Sequence, residues 1–126
     1  MDKEVIIEET RIGDIIVAKI QVRENAQKSA RPVIVMKKDK GNGHERSLIV
    51  LPLTTCLKNA FLPGRVFLPT EGSGLPFDTL VACDRPVAVS QEDIGKHVSS
   101  LTDAYFSAVC KEALRIMPFD RFFGRS

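Results

Sequence analysis

At 126 residues, with 44% apolar and 27% charged side chains and a net charge of +2, the chain has the balance of one globular domain able to bury a core unaided. No apolar run approaches the ~20 residues of a membrane-spanning helix, and the acidic start Met-Asp-Lys-Glu-Val-Ile-Ile-Glu-Glu is unlike a signal peptide. A cytoplasmic protein is therefore expected. The three cysteines, Cys56, Cys83 and Cys110, are odd in number and widely spaced, and the only histidines are His44 and His97. No zinc spacing results, so reduced core thiols are expected, with no metal and no cofactor.

Residues 1–10 form an acidic leader in which Val5-Ile6-Ile7 is either an edge strand or a loosely held arm. From Arg11 the domain proper begins, and Ile16, Ala18, Ile20 and Val22 alternate as one face of a strand. Residues 23–30 are polar and follow no period, so a loop is expected there. Next come two β-branched runs, Pro32–Met36 and Leu48–Leu53, joined by a polar connection containing Gly41-Asn42-Gly43, which predicts a buried hairpin. Pro32 can be tolerated where a strand begins. Arg65–Leu68, Leu80–Cys83 and Pro86–Val89 are short strands, separated by an irregular Pro- and Gly-containing stretch over 69–78. Ser90–Asp93 resembles a capped turn, with Asp93 at the position of a capping-box acid.

Thr102 then caps a helix running to about Met117, where Phe106, Val109, Cys110, Ala113, Leu114 and Met117 share a face at helical spacing. Residues 119–126 are a Phe-rich tail. Five or six short strands and a C-terminal helix, without βαβ alternation, predict a mainly β fold: a small antiparallel barrel with an attached helix, one domain over residues 11–118.

Charge is unevenly spread. Residues 19–46 hold eight Lys or Arg against three acids, whereas the first ten residues hold one Lys against four acids. A basic middle on a nearly neutral chain suits a phosphate-bearing partner, although scattered solvated lysines would give the same count. No phosphate-binding Gly-rich loop or nucleophilic serine elbow occurs. The candidates for chemistry are Arg31, Thr54, Thr55, Asp84 and Arg85. The start of one antiparallel strand lies beside the end of the next, so Arg31 and Thr54 are expected to be neighbours. A guanidinium beside a hydroxyl can hold a phosphodiester. Equally, Arg31 could pair with Asp14 or Asp84 while Thr54 merely finishes its strand.

Four segments stand in a recognisable order: Gly13-Asp14-Ile15-Ile16, Ala30-Arg31-Pro32-Val33-Ile34-Val35, Ile49-Val50-Leu51-Pro52-Leu53-Thr54-Thr55 and Ala82-Cys83-Asp84-Arg85-Pro86-Val87. With the closing helix, the chain over residues 11–117 resembles the MazF/PemK toxins, the endoribonucleases of type II toxin–antitoxin systems. The resemblance implies an SH3-like (CcdB-like) barrel, a homodimer, metal-independent cleavage of single-stranded mRNA, and inhibition by a cognate antitoxin. It assigns catalytic roles to Arg31, Thr54 and Asp84, and places Asp14, Lys28, Ser29, Thr55, Lys58 and Arg85 along the RNA, with Asp14 as the alternative base. Three positions differ from the family pattern: Asn25-Ala26-Gln27 replaces a Gly-x-Glu-Gln loop, Ala82 replaces an arginine used by some members, and Arg85 replaces a glutamine. The alternative implied by the same resemblance is a non-catalytic binding module, such as a gyrase-targeting toxin.

Overall fold

The computed structural model describes residues 7, 9–39 and 47–116. The Gly41-Asn42-Gly43 turn, most of the leader and the Phe-rich tail lie outside them.

Strand β1 (Asp14–Ile20) pairs antiparallel with β2 (Ser29–Asp39), which pairs with β3 (Ser47–Thr54). Both anticipated runs are thus paired, in a register that includes Val33↔Pro52, Ile34↔Leu51 and Val35↔Val50. The other edge of β3 is shared. Near its end it meets β5 (Thr79–Ala82), and near its start it meets β6 (Val87–Ser90). The excursion at 83–86 therefore bulges from one interrupted strand lying beside β3. Strand β4 (Arg65–Leu68) pairs with β5, and β7 (Ile94–Ser100) pairs with β1.

The resulting order is β4-β5-β3-β2-β1-β7, with β6 beside β3, seven strands among the described residues. No ladder joins β7 to β4, so the described pairings do not close the sheet into the expected barrel. Strand β7 itself was not legible as a strand. Its sequence, Ile-Gly-Lys-His-Val-Ser-Ser, has little apolar alternation, and its pairing with β1 shifts register twice. Gly95 permits the close approach, because a Cβ there would stand 2.8 Å from the Val17 carbonyl oxygen.

The sheet is covered on both faces, which explains why β2 and β3 are apolar without strict alternation. One cluster joins Ile16, Ala18, Ile20, Val33, Val35, Leu48, Val50, Val89 and Ile94, and includes Ile7 from the leader. The opposite face gathers Ile15, Ile34, Leu51, Leu53, Leu68 and Val81 beneath the C-terminal helix, α2 (Asp103–Ile116), which contributes Val109 and Ala113. A one-turn helix, α1 (Thr70–Ser73), interrupts the stretch expected to be irregular.

Thr102 caps α2 as expected, its Oγ1 accepting from the Tyr105 N–H at 3.5 Å. The apolar face is rotated from the sequence expectation. Phe106, Val109 and Ala113 face the core as expected, but Leu114 is 67% exposed, while Tyr105 and Ile116, not expected on that face, pack on the core. The capping expectation at Ser90 also fails: no side-chain cap bond forms in the 3₁₀ turn, and Asp93 instead accepts from Lys28 Nζ at 2.7 Å.

Gly64 connects the helix end to the sheet. Its N–H donates to Glu112 Oε2 at 3.0 Å and its carbonyl accepts from the Cys83 N–H at 2.8 Å. With φ at +82°, a Cβ at Gly64 would stand 2.5 Å from Ile116 Cδ1 and 3.2 Å from Asp84 Cβ. Gly64→Ala should therefore lower stability by about 1–3 kcal/mol through left-handed strain and the Asp84 contact. Urea unfolding of the purified variant measures this, and an unchanged midpoint would contradict it.

Candidate active site

The β2–β3 ladder ends at Val33↔Pro52, with Arg31 two residues before Val33 and Thr54 two residues after Pro52, so both stand at the same end of the pair. Arg31 is itself paired with Ala18 on β1, and Thr54 with Leu80 on β5, which in turn pairs with Phe67 on β4. Directly paired residues share a face. Two rows result: Ala18–Arg31 across β1 and β2, and Thr54–Leu80–Phe67 across β3, β5 and β4. Ala18 is in the core and Arg31 is exposed at its rim.

Arg31 Nε donates to Ser29 Oγ at 3.3 Å, and among the described residues no carboxylate pairs with its guanidinium. The two carboxylates that could have neutralised it are engaged elsewhere. Thr54 Oγ1 accepts from the Cys56 N–H at 3.0 Å, which uses an acceptor site and leaves the hydroxyl hydrogen to donate outward. Arg31, whose guanidinium pairs with no carboxylate among the described residues, and the Thr54 hydroxyl thus stand at the same end of the β2–β3 pair.

Asp14 lies at the opposite end of β1, four residues from the Arg31 level, or about 13 Å along the strand. It is buried, and both oxygens have partners: Oδ1 accepts from Ser100 Oγ at 2.8 Å and Oδ2 from the Arg11 N–H at 2.9 Å. His97 Nε2 stands 3.6 Å from Oδ2. These groups line a cavity of about 630 Å³ together with Glu9, Thr10 and Lys96. Asp14 therefore anchors the β1 entry to the end of β7.

Asp84 projects from the 83–86 excursion, beside Leu51 and Pro52, with its side chain 43% exposed. Its Oδ1 accepts from Arg65 Nη1 at 2.6 Å, and the Arg65 side chain is only 9% exposed. Arg65 is the ladder partner of Ala82. A cation thus reaches Asp84 from the facing strand, a contact that sequence inspection missed because it depends on the β4–β5 register. Arg85 is exposed and its N–H closes the turn onto Ala82 O.

Thr55 and Lys58 are exposed on the segment leaving Thr54, Lys58 within a 3₁₀ turn over Leu57–Asn59. Lys28 is bound to Asp93, whose hydrogen bond and charge raise the lysine's pKa. Among the described residues, no group of three or more His, Cys, Asp or Glu is arranged to hold a metal ion.

Of the three thiols expected in the core, only Cys83 is buried; Cys56 is exposed, on the segment after Thr54, and Cys110 is half-buried. Burial, reinforced by the charges of Glu112 and Asp84, pushes the Cys83 thiol up to about 12. A raised value favours the neutral thiol in the fold. This contribution to stability is complete below the ordinary value of 9.0 and is lost as pH climbs toward 12. Cys83 should consequently resist iodoacetamide at pH 8 while Cys56 reacts, as peptide mass mapping of the native protein would show. Alkylation of Cys83 at the rate of Cys56 would contradict that burial.

A family model described as the PemK-like, MazF-like toxin of type II toxin–antitoxin systems matches residues 11–117, and the chain belongs to that family. Among solved structures, it is similar to Mycobacterium tuberculosis toxin MazF-mt6, at 22% identity and a TM-score of 0.63, covering 81% of this chain and 93% of that one. It is also similar to MazF from Deinococcus radiodurans, at 16% identity and a TM-score of 0.67, covering 85% and 94%. A mycobacterial endoribonuclease solved with its cognate antitoxin shares 17% identity at a TM-score of 0.63, covering 86% and 97%. No curated protein matches the chain. No described helix is long and apolar enough to cross a membrane.

Proposed function

We propose that this chain is the toxin of a type II toxin–antitoxin pair and acts as a metal-independent endoribonuclease on single-stranded mRNA. The observation that supports this reading is that Arg31 pairs with no carboxylate among the described residues, while Asp14 and Asp84, the two acids within the family motifs, have other partners. A guanidinium without a carboxylate is free to bind a phosphate, and bidentate donation fits two phosphate oxygens.

Cleavage without a metal requires proton removal from the ribose 2′-hydroxyl, stabilisation of the pentacoordinate phosphorus, and protonation of the departing 5′-oxygen. The 2′-oxygen then bonds to phosphorus as the bond to the 5′-oxygen breaks, leaving a 2′,3′-cyclic phosphate and a 5′-hydroxyl. Arg31 stabilises the charge that develops on the phosphoryl oxygens, the kind of contribution that is usually largest, and protonates the leaving oxygen through its hydrogen-bonded N–H. The outward-donating Thr54 hydroxyl orients the phosphate. Asp84 is the base: of the two candidate carboxylates it is the exposed one, and Arg65 fixes it through a single oxygen. An unpaired strand suits the site because its base edges and backbone are accessible.

A homodimer in the cytoplasm, held inactive by a cognate antitoxin, completes the reading; it is supported by family membership and by a similar mycobacterial endoribonuclease solved with its antitoxin. Purified protein should fragment a mixed-sequence RNA in excess EDTA. Arg31→Ala should lose about 10²–10³-fold in rate. Equal product ladders from wild type and variant would refute the assignment, and DNA breakage in cells without RNA fragmentation would point to gyrase poisoning.

A further inference from the structure

The 83–86 excursion that carries Asp84 belongs to neither β5 nor β6, yet a base works only where its oxygen meets the proton it removes. Residues 63–65 supply much of what holds it. Arg65 Nη1 donates to Asp84 Oδ1 at 2.6 Å and, at 3.4 Å, to the Pro63 carbonyl. The Gly64 carbonyl accepts from the Cys83 N–H at 2.8 Å, which fixes the backbone one residue before Asp84. Gly64 also lies against the acid itself, close enough that an added Cβ would stand 3.2 Å from Asp84 Cβ.

This segment is anchored in turn from two sides. Arg65 is placed by its ladder partner Ala82, and its side chain is almost wholly buried. Gly64 is buried, and its N–H donates to Glu112 Oε2 at 3.0 Å. Arg115, three residues further along α2, holds that carboxylate through both oxygens, Nε to Oε1 at 3.0 Å and Nη2 to Oε2 at 2.7 Å. An unbroken series of bonds therefore leads from the last turns of α2 to the Asp84 carboxylate.

We propose that Glu112 and Arg65 are positioning residues for Asp84, forming a strut that runs from helix α2 through the 63–65 segment to the carboxylate. This rests on the ribonuclease reading above, with Asp84 as its base. Arg65 occupies Oδ1, so Oδ2 is the oxygen that takes the 2′-hydroxyl proton. Glu112 acts at a distance. Without its carboxylate the buried Gly64 N–H has no acceptor, a loss that the segment relieves by shifting. The Cys83 and Arg65 bonds pass that shift to Asp84. A displacement of about 1 Å at a reacting group costs as much as about 10²-fold in rate.

The test measures kcat and KM of the full chain on a short fluorogenic single-stranded RNA in EDTA. Arg65→Met should lower kcat about 10- to 100-fold and Glu112→Ala about 2- to 30-fold, with KM essentially unchanged. Glu112→Gln, which keeps a carbonyl oxygen for the Gly64 N–H, should restore most of kcat. Combined with Asp84→Asn, neither Arg65→Met nor Glu112→Ala should lower the residual rate further, because the strut then has no base to aim. General destabilisation would lower it in both backgrounds. Unchanged kcat in either single variant, or equal losses with and without Asp84→Asn, would overturn the strut and leave the ribonuclease reading standing. Full activity of Asp84→Asn, on an RNA that Arg31→Ala does not cleave, would remove base and strut together while RNA cleavage stands. If wild type cleaves no RNA, both readings fall.

Discussion

The β2–β3 ladder is the constraint on which the rest of the molecule depends. Its central residues are buried on both faces, so this pair of strands belongs simultaneously to both cores. Each fully buried Val, Ile or Leu contributes about 1.5–3 kcal/mol relative to exposure, and the ladder concentrates many of them. Cations bound the buried part of β2, with Arg31 before it and Lys37 and Lys38 after it. Sliding the strand by two residues would drive one of these charges inward, and sliding it by one would exchange the two faces. The same register that fills the cores therefore also brings Arg31 and Thr54 to the same end of the pair.

The polar groups around the candidate site are sorted by the fold into separate tasks. Asp14 spends its carboxylate at the β1 entry, together with Ser100 and the Arg11 N–H. Asp84 is held by Arg65 across the β4–β5 ladder. Glu112 ties Gly64 to the helix while pairing with Arg115, whose hydrogen bond lowers the Glu112 pKa despite some opposing burial. Each negative charge near the sheet end has a local partner, and Arg31 is left without one. Among the described residues, none of the carboxylates pairs with Arg31, which leaves its guanidinium to an outside anion.

Much of this was legible beforehand. Composition and periodicity indicated a mainly β domain closed by a helix, the hairpin runs stood out as β-branched blocks, and the order of four short motifs indicated the family. Ile16, Ala18 and Ile20 alternate into one core as their spacing requires. Strand β7 was hidden because glycine, lysine, histidine and two serines carry no apolar period, and because its pairing is irregular. The helix face was misjudged at Leu114, since hydropathy marks which residues can be buried and packing decides which are.

What the sequence determined by itself is local: which runs prefer extended backbone, where Thr102 can start a helix, and which residue types are available to a phosphate. Tertiary structure decided the pairings between distant positions. Arg65 meets Asp84 only because β4 and β5 pair in that register, and Asp14 stands about 13 Å along its strand from Arg31 because β1 pairs with β2 as it does. Such assignments depend on partner strands far apart in the chain, and strand alternation alone specifies which face a residue takes, not which neighbour it meets.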